Sequence, residues 1–331
     1  MKFWYQQSWL QWLLLPLAWL FQFITFLRRK AYQTGLFASW KAPCPVVVVG
    51  NLSVGGNGKT PLVVCLVEQL QARGIRVGVI SRGYGGESND YPFLVCASAD
   101  PRKTGDEPVL IAKRTAVPVA ISPNRRESIE LLYKAYHPQI IISDDGLQHY
   151  KLQRDVELVV VDGERRFGNG HLLPAGPLRE LPQQRLATVD AVICNGGTAQ
   201  ADEIAMQLTA KMAVNLSTGE QRALTEFSQV NAVAGIGYPP RFFATLQQQG
   251  LTILEQQAFA DHYAFQAADL AKIDHKDIPL FMTEKDAVKC AAFAQENWWY
   301  VPVTAEIAHN ELTSLIDKII AKVGIATYKE S

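Results

Sequence analysis

The sequence has no acidic residue before Glu68, no Cys-x-x-Cys pair, no internal repeat and no low-complexity tract. Its five cysteines (Cys44, Cys65, Cys96, Cys194 and Cys290) are odd in number and dispersed, with no histidine at zinc-ligand spacing. That excludes a disulfide framework and a zinc module and points to a reducing compartment. Most sit beside apolar residues and read as buried structural thiols. Net charge is also lacking, with 32 Lys+Arg against 32 Asp+Glu, which argues against a nucleic-acid binder held by bulk charge. With 48% hydrophobic and 19% charged residues over 331 positions, the composition excludes a mostly disordered chain and leaves one large or two moderate domains.

The missing acids make the charge uneven. Lys2, Arg28, Arg29, Lys30, Lys41 and Lys59 precede Glu68, so the first 67 residues carry +6 and the remainder −6. Most of these cations flank the apolar run Trp9–Leu27, which as a helix spans about 28 Å, barely a bilayer core. Gln7, Gln11, Gln22, Thr25 and Arg29 fall on one narrow polar stripe of that helix, opposite a wide apolar face carrying Trp9, Trp12 and Trp19. A signal peptide is disfavoured, because only Lys2 precedes the run and three basic residues follow it. A core helix is a second alternative. Membrane attachment is favoured, the basic cluster suiting an anionic cytoplasmic leaflet. The polar stripe and marginal length favour a helix lying in or dipping into one leaflet, with everything after Lys30 in the cytoplasm.

Beyond the run, strand and helix alternate. The Val-rich segment 45–50 reads as a buried parallel strand, followed by a glycine loop and a helix over 61–73. Further strands are predicted at 76–81, 139–143, 156–162 and 191–194, with helices near 108–112 and 123–136. The alternation restarts near Phe227 and runs to a last helix near 312–323. The expected fold is α/β: a P-loop NTPase-like doubly wound α/β/α core over 31–226, a smaller α/β domain over 227–331 completing an active-site cleft, and a membrane-associated helix over 1–30. The Gly/Pro-rich stretch 167–182 follows neither period and is expected to be an ordered, functional loop.

Residues Ser53-Val54-Gly55-Gly56-Asn57-Gly58-Lys59-Thr60 lie between that first strand and the first helix of the core. This is the setting of a Walker A loop, with Ser53 where the pattern has its first glycine. Backbone N–H groups would curl round a polyphosphate, Lys59 would neutralise it, and Thr60 would ligate Mg²⁺. Asp144 and Asp145 end an apolar strand and are the candidate Walker B acids, either of which could face the metal. An ordinary Asp-Asp-Gly turn is the alternative.

Further stretches narrow the reading. Ser81-Arg-Gly-Tyr-Gly-Gly86, Gly105-Asp-Glu-Pro108, Ser143-Asp-Asp-Gly-Leu-Gln-His149, Leu172-Leu-Pro-Ala-Gly-Pro-Leu-Arg-Glu180, Asp261-His-Tyr-x-Phe265 and Thr283-Glu-Lys-Asp286 occur in this order. Together with the phosphate loop they resemble the tetraacyldisaccharide 4′-kinases, the lipid A 4′-kinases of Gram-negative bacteria. The resemblance implies transfer of a phosphoryl group from MgATP to the 4′-hydroxyl of an acylated glucosamine disaccharide 1-phosphate. It places the enzyme at the cytoplasmic face of the inner membrane, with no nucleic acid and no obligate protein partner. It also implies a catalytic pair at Asp106 and His262, although from the residues alone Asp106 could be a helix cap and His262 a loop histidine. Arg125, Gln148, His149 and Arg179 are candidate donors for substrate phosphate and hydroxyls, each otherwise an ordinary surface or capping residue; the resemblance favours Arg125 and Arg179 most, while Glu107 and Glu180 read as loop-ordering residues. The competing class is a P-loop ATPase or GTPase with a regulatory or metal-insertion role. Against it, Thr283-Glu-Lys-Asp286 has Glu where a guanine-reading stretch needs Lys, and no Cys/His metal motif is present.

Overall fold

The computed structural model describes residues 2–6, 8–88 and 90–325. Gln7 of the expected polar stripe and residues 326–331 of the expected smaller domain lie outside them. The first run of elements is α1 (Trp9–Gln33), β1 (Val46–Gly50), α2 (Lys59–Gln71), β2 (Val77–Ser81), β3 (Phe93–Val95), α3 (Pro101–Thr104), α4 (Asp106–Thr115), β4 (Val119–Ile121), α5 (Arg125–Tyr136), β5 (Ile140–Asp144), β6 (Val156–Asp162), α6 (Pro182–Leu186), β7 (Ala191–Asn195) and β8 (Glu203–Thr209). The second run is β9 (Met212–Asn215), β10 (Gln221–Ala223), β11 (Gln229–Ala234), α7 (Pro239–Gln248), β12 (Thr252–Ala258), α8 (Ala267–Leu270), β13 (Leu280–Thr283), α9 (Glu284–Cys290) and β14 (Trp298–Val301), after which β15 (Thr304–Ile307) and α10 (His309–Val323) close the chain.

A nine-stranded sheet with order β15-β8-β7-β6-β1-β5-β2-β4-β3 forms the larger unit. Its strands from β8 to β4 are parallel, and β15 and β3 are antiparallel edges. β1 shows why its sequence is continuously apolar. Successive side chains of a strand point to opposite faces, so Val47 and Val49 enter the core beneath α2, α4 and α10, while Val46 and Val48 enter the core beneath α1 and α5. The smaller unit is a six-stranded sheet, β10-β9-β14-β13-β11-β12, packed around Phe281, Trp298 and Trp299.

The expected division at residue 226 is corrected in two places. β9 and β10 already belong to the smaller sheet, so the chain crosses between 209 and 212. It crosses back after β14: β15 pairs with β8, Thr304 opposite Thr209, and Leu315, Ile316 and Ile319 of α10 bury against the α2 side of the larger sheet. The reason is that β8 gains a hydrogen-bonded neighbour and the apolar stripe of α10 covers an otherwise open core.

Candidate active site

The phosphate loop follows β1 and ends where α2 begins. Gly58 caps that helix with φ 90° in the left-handed region, and a side chain there would run into the amide of Asn195. Side chains from within and outside the loop hold it. Asn51 donates to the Ser53 carbonyl at 2.7 Å, and Asn57 donates to the Ser53 hydroxyl at 2.9 Å, which gives Ser53 a structural partner. Arg165 Nη2 donates to the Gly56 carbonyl at 2.7 Å, and Asn195 Nδ2 to the Asn57 carbonyl at 3.0 Å. Neither Arg165 nor Asn195 stands out in the sequence, apart from the position of Arg165 just ahead of the Gly/Pro-rich loop.

The two acids at the end of β5 are distinct. Asp145 lies 3.5 Å from Lys59 Nζ and 3.3 Å from Arg179 Nη1. Burial would raise its pKa, but Lys59 and Arg179 outweigh burial and hold it below the ordinary carboxylate value. Asp144 is fully buried, and neither carboxylate oxygen has a hydrogen-bond partner among the described residues. Burial, reinforced by the charge of Glu107, pushes its pKa up to about 7. An orphaned buried carboxylate beside the Thr60 and Lys59 end of α2 is a donor set that fits a hard divalent cation. The described residues hold no cluster of three His, Cys, Asp or Glu that could ligate a metal.

Across the cleft, Asp106 opens α4 and His262 comes from the loop before α8, so the pair spans the two units. Asp106 is not the cap of α4; that position is Gly105. Its Oδ1 accepts the Glu107 N–H at 2.8 Å, while Oδ2 lies 3.2 Å from His262 Nδ1 and 3.6 Å from Lys289 Nζ. Burial would raise the Asp106 pKa, yet Lys285, His262 and Lys289 more than offset it and hold the carboxyl well below its ordinary range. The hydrogen bond to Asp106 raises the His262 pKa above 6.5, against burial. Both Asp145 and His262 adopt left-handed backbone, with φ 49° and 59°, a conformation sparsely used outside glycine and common at functional sites.

Thr283-Glu-Lys-Asp286 clamps the units beside this pair. Lys285 reaches Glu107 at 2.7 Å and Glu284 pairs with Arg114 at 3.1 Å, both across the cleft. Asp286 stays within its own unit, accepting from the Gly235 N–H at 2.9 Å and pairing with Lys289 at 2.8 Å. Glu284 and Lys285 are thus occupied with docking, which sequence reasoning left unassigned, while Thr283 and Asp286 bond to each other and brace α9.

The four candidate acceptor residues gather on the other wall. Arg125 is buried, gives Nη2 to the Asp144 carbonyl at 3.0 Å and leaves Nη1 without a partner among the described residues; burial pulls its pKa down to about 10. Gln148 donates to Glu180 at 2.9 Å and accepts from Arg179 at 3.3 Å. His149 is held neutral, its pKa lowered to about 4 by burial and then by Arg125 and Arg154. It can therefore offer a hydrogen bond but no charge at neutral pH. Glu180 takes Gln148 and Tyr150 together, a loop-ordering role of the expected kind.

These groups line one cavity of about 1790 Å³ that runs from the phosphate loop to Trp19, Phe23, Phe26, Arg28 and Arg29 of α1. That is more than a nucleotide fills and leaves room for a second, partly apolar substrate.

Known proteins share this plan. The sequence model of the family described as Tetraacyldisaccharide-1-P 4'-kinase (LpxK) matches residues 10–321. The tetraacyldisaccharide 4'-kinase of Pasteurella multocida (strain Pm70) is 56% identical over 320 residues, covering 96% of this chain and 98% of that one. A tetraacyldisaccharide 4'-kinase of Actinobacillus succinogenes is 57% identical over 319 residues, with coverage of 96% and 98%. Among solved structures, LpxK from Aquifex aeolicus in complex with ATP aligns with a TM-score of 0.78 at 28% identity, covering 95% of this chain and 99% of that one. With strand, phosphate loop, acids and cleft arranged as above, and with relatives of this identity over nearly its whole length, the chain belongs to the tetraacyldisaccharide 4'-kinase family and is a kinase.

Proposed function

We propose that the protein transfers the γ-phosphoryl group of ATP to the 4′-hydroxyl of a tetraacylated glucosamine disaccharide 1-phosphate at the cytoplasmic face of the inner membrane. The observation that carries this reading is the single cavity joining the phosphate loop, His262, which holds Asp106 at 3.2 Å, and residues of α1 from Trp19 to Arg29. ATP lies along residues 53–60, with loop amides and Lys59 on its phosphates. Thr60 and Asp144, with Asp145 beside them, would hold Mg²⁺, whose charge would neutralise the β- and γ-phosphates.

Asp106 takes the proton of the 4′-hydroxyl, and His262 orients Asp106 through Nδ1. The acid is a weak base in this setting, which matches a loose phosphoryl transition state in which the attacking oxygen gives up its proton late. Arg125 and Arg179 supply positive charge to the phosphorylated disaccharide, and neutral His149 and Gln148 supply hydrogen bonds to its hydroxyls. The test is transfer of labelled phosphate from ATP to the tetraacylated disaccharide 1-phosphate in detergent. A phosphorylated lipid is expected, and its absence with folded, ATP-binding protein overturns the reading.

The helix α1 meets the lipid surface lying flat. Trp4 Nε1 donates to the Pro174 carbonyl at 3.0 Å ahead of the helix, Ala18 is buried mid-way, and Tyr32 packs 6.1 Å from Tyr150 at the far end. An 18-residue window of this helix has a mean hydropathy of 1.7, apolar enough for a span, but both ends are tied to the same unit. Trp9 and Trp12, 76% and 74% exposed, then enter the leaflet while Arg28, Arg29 and Lys30 meet its headgroups. Replacing Trp9, Trp12 and Leu13 by Gln is expected to weaken binding to anionic vesicles by about tenfold or more. Sedimentation with vesicles checks this, and unchanged partition refutes it.

A further inference from the structure

The smaller unit touches the phosphate loop at a place separate from the Asp106–His262 pair. Gly237, in the turn between β11 and α7, approaches the Gly56 backbone so closely that a methyl group on it would lie 2.9 Å from the Gly56 nitrogen. Next to this contact is a cluster built on one carboxylate. Asp162, at the end of β6 and 1% exposed, accepts from the backbone N–H groups of Glu164 and Arg165, from Arg165 Nε at 2.8 Å, and from Arg241 Nη2 at 2.7 Å. Arg241 belongs to α7, so this carboxylate joins the two units. Tyr238 of the smaller unit lies against the Arg165 guanidinium at 5.0 Å. Arg165 in turn reaches the Gly56 carbonyl at 2.7 Å.

We infer that Arg165 is a positioning residue for the nucleotide, and that Asp162 and Arg241 form a latch through which docking of the smaller unit sets the orientation of the phosphate loop. In a planar trans peptide the C=O and the following N–H point in opposite directions. Holding the Gly56 carbonyl outward therefore turns the Asn57 N–H inward, toward the phosphates. Asn195 does the same for the next peptide from within the larger unit. Only the Arg165 contact is shared with the smaller unit, through the Asp162 carboxylate and the Tyr238 ring. The unit that supplies His262 thus also finishes the loop that grips ATP.

The inference rests on the kinase reading above, and the experiment separates the two. ATP-analogue affinity, kcat and KM for each substrate are measured for the wild type, Arg165→Met, Arg241→Ala and the double variant, with thermal midpoints alongside. Methionine keeps the apolar stem of Arg165 and removes its donors. We expect ATP-analogue binding to weaken about tenfold in Arg165→Met and about fivefold in Arg241→Ala, with acceptor KM unchanged. The double variant should stay within about twofold of Arg165→Met alone, because both act through one chain of contacts. Multiplying effects would mean that Arg241 meets the nucleotide independently, and wild-type affinity in Arg241→Ala would remove the latch; either result overturns the inference. If Arg165→Met does not fold, Gly237→Ala takes its place in the cycle. It presses the units apart without changing charge, and its effect should likewise not multiply with that of Arg241→Ala. An inactive wild type would instead overturn the kinase reading.

Discussion

Asp106→Ala is expected to lower kcat by about 10²–10⁴-fold while ATP-analogue affinity changes by less than about threefold. Asp106 is buried against His262 and Lys289 of the smaller unit, and the phosphate loop is held by Asn51, Asn57, Asn195 and Arg165, none of which contacts it. Removing Asp106 also strips His262 and Lys289 of a partner, so undocking of the units is a competing cause. Asp106→Asn separates the two, since the amide preserves size but accepts no proton. It should be nearly as slow as Asp106→Ala while keeping the thermal midpoint closer to wild type. A rate within about tenfold of wild type in Asp106→Asn excludes Asp106 as the base.

The same variant has a pH signature. Asp106 raises the folded His262 pKa above 6.5. The pair therefore adds stability fully present below the unfolded value near 6.5 and lost as pH rises through the folded value. In Asp106→Asn the two opposing influences, burial and Lys285, remain and should carry the His262 pKa down. NMR titration of the imidazole reads this directly.

Lys59→Ala is expected to weaken ATP-analogue binding by about 10²–10³-fold and to abolish measurable turnover, because on the proposed reading it removes the one cation of the loop that would face the β- and γ-phosphates. Its stability cost should be small. Asp145 keeps Arg179 at 3.3 Å when Lys59, at 3.5 Å, is gone. Lys59→Arg should not restore activity, since a planar guanidinium does not replace a compact ammonium in a loop of fixed radius. Equilibrium binding and kcat/KM for ATP check both variants, and affinity within about tenfold of wild type for Lys59→Ala would show that the loop holds phosphate by its amides alone.

Much of the site was legible because its parts are local. A Val-rich strand, a glycine loop and Lys-Thr at the start of a helix are contiguous, and so are β5 and the acids that end it. The distinction between Asp144 and Asp145 was not legible, since it depends on which of two neighbouring side chains is sealed from water and which meets Lys59 and Arg179. Nor was the neutrality of His149, which follows from burial among Arg125 and Arg154. The Asp106–His262 pair joins positions 156 residues apart. No local pattern relates them, and only resemblance to a family suggested the pairing.

By itself the sequence determined the alternation of strands and helices, the phosphate loop, the acids behind it and the cationic, Trp-rich helix at the start. These follow from side-chain period and backbone preference over a few residues. The tertiary structure alone decided that β15 and α10 return to the larger sheet, that α1 is fastened at both ends, and that Arg165, Asn195 and Lys285 serve the cleft. An apolar stripe specifies that a face must be covered, not by what. The partner is fixed only when strands about a hundred residues apart compete for the same edge and the best-packed arrangement of the whole chain prevails.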